Sequence, residues 1–202
     1  MRFLLGEAAW LLAAFAVTVL VAQALQALGD GWADAAPGAA LFGLHGLIGI
    51  HVLRANARSI AAWLAVRGKD LAWGAAGGAL LLAFNVVYGK LLDTAGVTPP
   101  DMVALLRELL PMPALILWAG FLAPVVEEMY FRGRLTEAFD GRVGPRWSGV
   151  ITSAAFAAIH GIPVFIPAYL VFAAVLLGLR RKTGGLIAPI VAHVINNTAA
   201  LV

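Results

Sequence analysis

Of 202 residues, 62% are hydrophobic and 12% are charged, with a mean hydropathy of +0.91. A soluble domain is about 45–50% apolar and about 25% charged, so this composition excludes an ordinary soluble globule and, equally, a disordered chain. The chain has no cysteine, which removes disulfides, thiolate chemistry and Cys-based metal sites. The net charge of +3 comes from Lys and Arg gathered between apolar runs, a topology signal of membrane proteins and no sign of a nucleic-acid partner.

A helix crossing a bilayer needs about 20 mostly apolar residues. Seven segments qualify or nearly so: Ala8–Leu28, Pro37–Leu53, Leu71–Val87, Pro113–Phe131, Trp147–His160, Phe165–Leu179 and Leu186–Val202. They are rich in Ala and Leu without the alternation of a membrane barrel. The expectation is an all-α, polytopic membrane bundle of about seven helices. It is read as a single transmembrane domain over 1–202, with N-terminal helices (1–112) that carry no motif and motif-bearing helices (113–202). Arg2 before an apolar run, with Ala22-Gln23-Ala24 beyond it, resembles a signal peptide. We read this first segment as a true span.

The connections alternate in charge. Gly29–Ala36 holds Asp30 and Asp34 with no base, whereas the next connection holds Arg54, Arg58, Arg67 and Lys69. The third is mixed, the fourth carries Arg132, Arg134, Arg142 and Arg146, the fifth is uncharged, and the sixth is Arg180-Arg181-Lys182. By the positive-inside rule the N-terminus is cytoplasmic and the C-terminus outside, in a cell (inner) membrane. Residues 55–70 suit an interfacial amphipathic helix. Pro99–Leu110 suits a short surface helix with Asp101 as its N-cap.

Ionisable side chains inside apolar spans cost roughly 2.5–3.5 kcal/mol each, so they mark function. Glu127 and Glu128 are adjacent and point about 100° apart on a helix. Arg132 lies four residues after Glu128, which permits an ion pair. Glu127 is left as a candidate base. His160 ends a small-residue helix, and His193 and Asn197 share a face four residues apart. A base-like carboxylate with imidazole partners, and a donor pair able to hold an oxyanion, are the parts that amide hydrolysis needs. His45 and His51, six residues apart, read as structural or interfacial. Asn85 is placed to line a cavity.

The set Glu127-Glu128-x-x-x-Arg132, Phe156-x-x-x-His160 and His193-x-x-x-Asn197 resembles the motifs of the CPBP family, the intramembrane CaaX-type prenyl endopeptidases and their bacterial relatives linked to bacteriocins. The resemblance covers roughly Pro113–Val202. It implies a helical membrane fold with a cavity open to the cytosol. In that cavity Glu127 and His160 activate water, His193 and Asn197 hold the oxyanion, and Glu128 and Arg132 support the site. The partners implied are a peptide or membrane-anchored protein substrate and membrane lipid. That mechanism needs no metal or other cofactor. The residues alone leave zinc open, since Zn²⁺ accepts a His₂Glu set such as Glu127, His160 and His193. A proton-coupled transporter would arrange the same residues as a file reaching both membrane faces, and a noncatalytic scaffold would pair them without a cavity.

Counting along the helices sets depths. Glu127 lies about 7–8 Å inside the Arg132–Arg134 boundary and His193 about 10 Å past Leu186. His160 lies about 20 Å along its span, so that helix must tilt or end deep to join the others.

Overall fold

The computed structural model describes residues 2–202. No strand forms among them, and the chain is a multi-pass membrane protein of packed helices. The helices are α1 (Arg2–Ala27), α2 (Asp30–Ala33), α3 (Ala36–Ala55), α4 (Ala57–Trp63), α5 (Asp70–Thr94), α6 (Met102–Leu109), the long bent run α7 (Met112–Ile159), α8 (Ile166–Thr183) and α9 (Ile187–Leu201).

Five of these, α1, α3, α5, α7 and the stretch containing α8, are long and apolar enough to cross a bilayer. The expected count of seven is therefore not what the helices present one by one. The fourth and fifth expected spans are joined in α7, and α9 has only 15 residues. Still, α7 is no single rod. Ser148 Oγ donates to Thr136 O at 3.1 Å, and the rings of Phe131 and Phe156 lie 5.2 Å apart. Twenty-five residues of straight helix would separate those rings by about 37 Å. The run doubles back at Gly144, whose φ of 79° is open to glycine at little cost, and Pro145 then starts the second limb. The expected surface helices are both present. Asp101 Oδ1 caps α6 by accepting from Ala104 N at 2.9 Å, and α4 covers part of the connection expected to be amphipathic.

The core lies around the motif helices. Half of the apolar window of α7 is buried, against 11% for α1, whose Leu4, Leu5, Leu12, Phe15 and Leu20 face outward to lipid. The tightest packing joins α5 to α9. A Cβ built on Gly74 would come within 2.6 Å of Val191 Cβ, and one on Gly78 within 2.9 Å of Ile195 Cβ. Apolar side chains gain little from association within lipid, so small residues that let backbones approach supply the contact. The same face of α5 continues through buried Leu81 to Asn85, whose Nδ2 donates to Asn196 Oδ1 at 2.8 Å.

The basic connections meet at one end of the bundle. Arg67 Nη1 donates to Thr183 O at 2.9 Å, Trp63 O accepts from Leu186 N at 2.7 Å, and Arg180 pairs with Glu137 at 3.1 Å. These bonds tie the α4 connection, the bend of α7 and the α8–α9 turn together. Gly78→Leu should overpack the α5–α9 contact and lower stability by about 1–3 kcal/mol. Gly89→Ala, a position with nothing within 4 Å, should be neutral or slightly stabilising. Thermal unfolding in detergent, followed by loss of the monodisperse peak, separates the two.

Candidate active site

The first limb of α7 is unusual where it carries the carboxylates. Two π-helical stretches, Ile116–Leu122 and Met129–Leu135, flank the α-helical Ala123–Glu128. Such wide turns occur preferentially at functional sites. Pro124 gives the first one a cause, since it supplies no N–H to the ladder. In an i→i+5 register the donor for Ala119 O would be the nitrogen of residue 124. Asn197 of α9 fills the gap, its Nδ2 donating to Ala119 O at 3.0 Å. In the second stretch, Thr136 Oγ1 donates to Phe131 O at 2.7 Å and serves a carbonyl five residues back.

The two adjacent glutamates meet different surroundings. Glu128 is fully buried. Its Oε1 accepts from Arg132 Nη1 and from His193 Nδ1, each at 2.9 Å. Its Oε2 has no protein partner. Arg132 is buried with it, and its guanidinium lies 4.3 Å from the centre of the Phe156 ring. Glu127 keeps 18% of its side-chain exposure and has no Arg or Lys within ion-pair distance among the described residues. It sits between two imidazoles: His45 Nε2 is 3.5 Å from Oε1, and His193 Nε2 is 3.9 Å from Oε2. His193 thus spans both carboxylates, with Nδ1 on Glu128 and Nε2 toward Glu127.

His160 approaches from the second limb of α7. Its Nδ1 donates to Phe156 O at 2.7 Å, because a carbonyl can only accept, and its ring stacks on Tyr169 at 4.1 Å. That bond leaves Nε2 as an acceptor in the neutral ring. Phe156, one turn earlier, packs edge-on to His193 at 6.1 Å and stacks on Phe172. The fold-back of α7 thereby carries His160 to the level of the other motif residues, one turn beyond Phe156. His160 makes no ion pair within 4.0 Å of Glu127. Asn197 lies one turn beyond His193, and its Oδ1 accepts from Asn196 at 3.3 Å.

So Glu128 gathers Arg132 and His193, and His193 reaches on from it toward Glu127. His160 and Asn197 stand at the margins of this cluster, each held by a bond of its own. Among the described residues no three His, Asp or Glu side chains are grouped to hold a metal ion, and Glu127, His160 and His193 do not form such a set. His45, set aside in the sequence reading as structural or interfacial, touches Glu127. Only an α3–α7 contact could have revealed it, because it belongs to no motif. His51 has a different place: its Nε2 lies 3.3 Å from both oxygens of Glu7, which Arg134 also binds with two nitrogens. Arg134 Nη1 reaches Asn56 Oδ1 at 2.9 Å, and together these residues clip α1 and α3 to α7.

Breaking a buried pair leaves the other charge uncompensated, typically at a cost of about 3–5 kcal/mol. Glu128→Gln should therefore lower thermal stability strongly, and Glu128→Gln combined with Arg132→Met should recover part of the loss. Unfolding midpoints of the two variants and the parent protein give the comparison.

No curated protein and no solved structure matches the chain. A family model does. Residues 109–199 match the type II CAAX prenyl endopeptidase Rce1-like family, a segment that begins at the end of α6 and holds Glu127, Glu128, Arg132, His160, His193 and Asn197. Over that segment the chain is similar to the Rce1-like family, a match consistent with a CPBP-type intramembrane endopeptidase and one that supports peptide hydrolysis as the reaction class.

Proposed function

We propose that the protein is an intramembrane endopeptidase in which Glu127 is the general base of a water-driven cleavage. The observation that carries this reading is the division between the adjacent carboxylates. Glu128 is fully buried and engaged by Arg132 and His193, while Glu127 is partly open and has imidazoles on both flanks. A buried carboxylate held by Arg serves the structure, and the open one is available for proton transfer.

In the proposed reaction a water lies between Glu127 and Nε2 of His160, which is an acceptor because Nδ1 is bonded to Phe156 O. Glu127 takes one proton as the water oxygen bonds to the carbonyl carbon of the substrate. The carbonyl π electrons move to oxygen, and the oxyanion receives N–H bonds from His193 and from the Asn197 N–H not bonded to Ala119. His193 can donate from both nitrogens as an imidazolium, from Nδ1 to Glu128 and from Nε2 into the site. When the carbon–nitrogen bond breaks, Glu127 returns its proton to the leaving amine. Atoms balance with one water consumed and no metal or other cofactor.

The gathering of Arg67, Arg180 and the α7 bend at one end supports a cytoplasmic N-terminus, an outward C-terminus and placement in the inner membrane, with the whole chain acting as one transmembrane unit. The substrate is then a peptide or membrane-anchored protein entering from the cytosol or the inner leaflet. The buried polar residues fit a transporter less well: Glu127 is flanked by His45 and His193, and the Glu7–Arg134–His51 cluster is a separate group with its own partners.

Glu127→Gln should reduce proteolysis by a factor of at least about 10² while leaving the unfolding midpoint unchanged. Comparing the peptides released from membranes carrying the wild type or this variant tests the point, and undiminished cleavage refutes the assignment. Orientation has its own measurement, convenient because the chain has no cysteine. Gly31→Cys should react with a membrane-impermeant thiol reagent on intact cells, and Gly68→Cys only after permeabilisation. The reverse pattern would invert the topology.

A further inference from the structure

Glu127 has an imidazole neighbour that lies outside the matched residues 109–199. His45 sits in the middle of α3, and its Nε2 faces Glu127 Oε1 at 3.5 Å. Trp118, in the first π-helical stretch of α7, donates from its indole Nε1 to His45 Nδ1 at 3.2 Å, with the two rings edge to face at 5.5 Å. An indole nitrogen can only donate. When Nδ1 accepts that bond, the proton of the neutral imidazole is on Nε2 and points at the carboxylate. Leu41 O, 3.0 Å from the same Nδ1, is the competing partner and favours the opposite tautomer. Two neighbours favour Nε2–H, the indole N–H that Nδ1 must accept and the carboxylate that faces Nε2, against the one carbonyl that favours Nδ1–H.

We infer that His45, fixed in its tautomer by Trp118, is a positioning residue for Glu127. It holds Oε1 so that Oε2 is the oxygen turned toward His193 and the site. The N-terminal helices, which carry no family motif, thereby supply part of the catalytic geometry. Residues that orient a reactive group through a hydrogen bond commonly cost about 10–100-fold in activity when removed. This inference rests on the proposed role of Glu127, and its test separates the two.

The experiment uses the full-length protein in detergent, with ¹⁵N-labelled histidine, and has a spectroscopic and a kinetic arm. Ring nitrogen spectra, with the His45 signals assigned by loss in His45→Gln, should show Nε2 protonated and Nδ1 bare. Those signals should move in Glu127→Gln and in Trp118→Phe. In the kinetic arm His45→Ala should lower kcat about 10–100-fold with KM little changed. His45→Gln, whose amide can also donate at that position, should restore much of the rate, and this conservative variant guards against misfolding of the alanine form. His45 signals indifferent to Glu127→Gln, or an Nδ1-protonated ring, overturn the pairing. Shifted signals with full kcat in His45→Ala overturn the positioning role. If the signals shift but cleavage survives Glu127→Gln, the pairing stands and the proposed function fails.

Discussion

The buried contact of Arg132 and His193 on a single oxygen of Glu128 is the constraint on which the rest of this structure depends. Three ionisable groups have been removed from water inside a bilayer, where each would be costly alone. Together they are tolerable because Arg132 and His193 both bond the Glu128 carboxylate, and because Phe156 covers the guanidinium face. The cluster joins α7 to α9, and Arg132 also reaches Ala173 O of α8 at 3.5 Å. It fixes where His193 points, and through His193 it fixes one wall of the space beside Glu127. The two carboxylates, adjacent in sequence, are thus assigned different fates by the roughly 100° between successive helical residues: Glu128 toward Arg132 and His193 Nδ1, Glu127 toward His45 and His193 Nε2.

Much of this was legible beforehand. The i,i+4 relation of Glu128 and Arg132 foretold their pair, because helical geometry alone brings those side chains together. The Asp101 cap needed only an Asp before an apolar helix. Other features had no local signal. His45 is one histidine in an apolar helix, and its meeting with Glu127 depends on how α3 packs against α7, a long-range fact. The count of seven spans is not confirmed: the fourth and fifth expected spans run on as one helical stretch folded back at Gly144-Pro145, and α9 has only 15 residues. His160 required the longest chain of inference. Its depth along the fifth span looked discordant, and the packing of Phe156 against Phe131, Phe172 and His193 is what reconciles it.

The two halves of the chain differ in how they hold together. In the second half, ring stacks and the buried ion cluster lock the limbs of α7 to α8 and α9. The first half is attached at defined points, among them the glycine face of α5 against α9, Trp63 against Gly133, the Glu7–Arg134–His51–Asn56 clip and the contact of His45 with Glu127. Helix α1 is largely lipid-facing, yet beyond Glu7 it also meets α3 where Trp10 stacks on His51 at 4.2 Å and where Thr18 packs beside Gly43.

The bond from Asn197 to Ala119 O has a consequence for motion. A wide helical turn ending in proline leaves one main-chain acceptor unmet, and within hydrocarbon such a group costs several kcal/mol unless a neighbour supplies the donor. Here the donor comes from another helix at one fixed rung. Sliding α9 along α7 by a single residue, about 1.5 Å, would lengthen that bond beyond hydrogen-bond distance. Rocking about the bond would leave it intact. The bond therefore opposes translation of α9 along α7 more than tilt about it, and so favours the register that sets His193 beside Glu127.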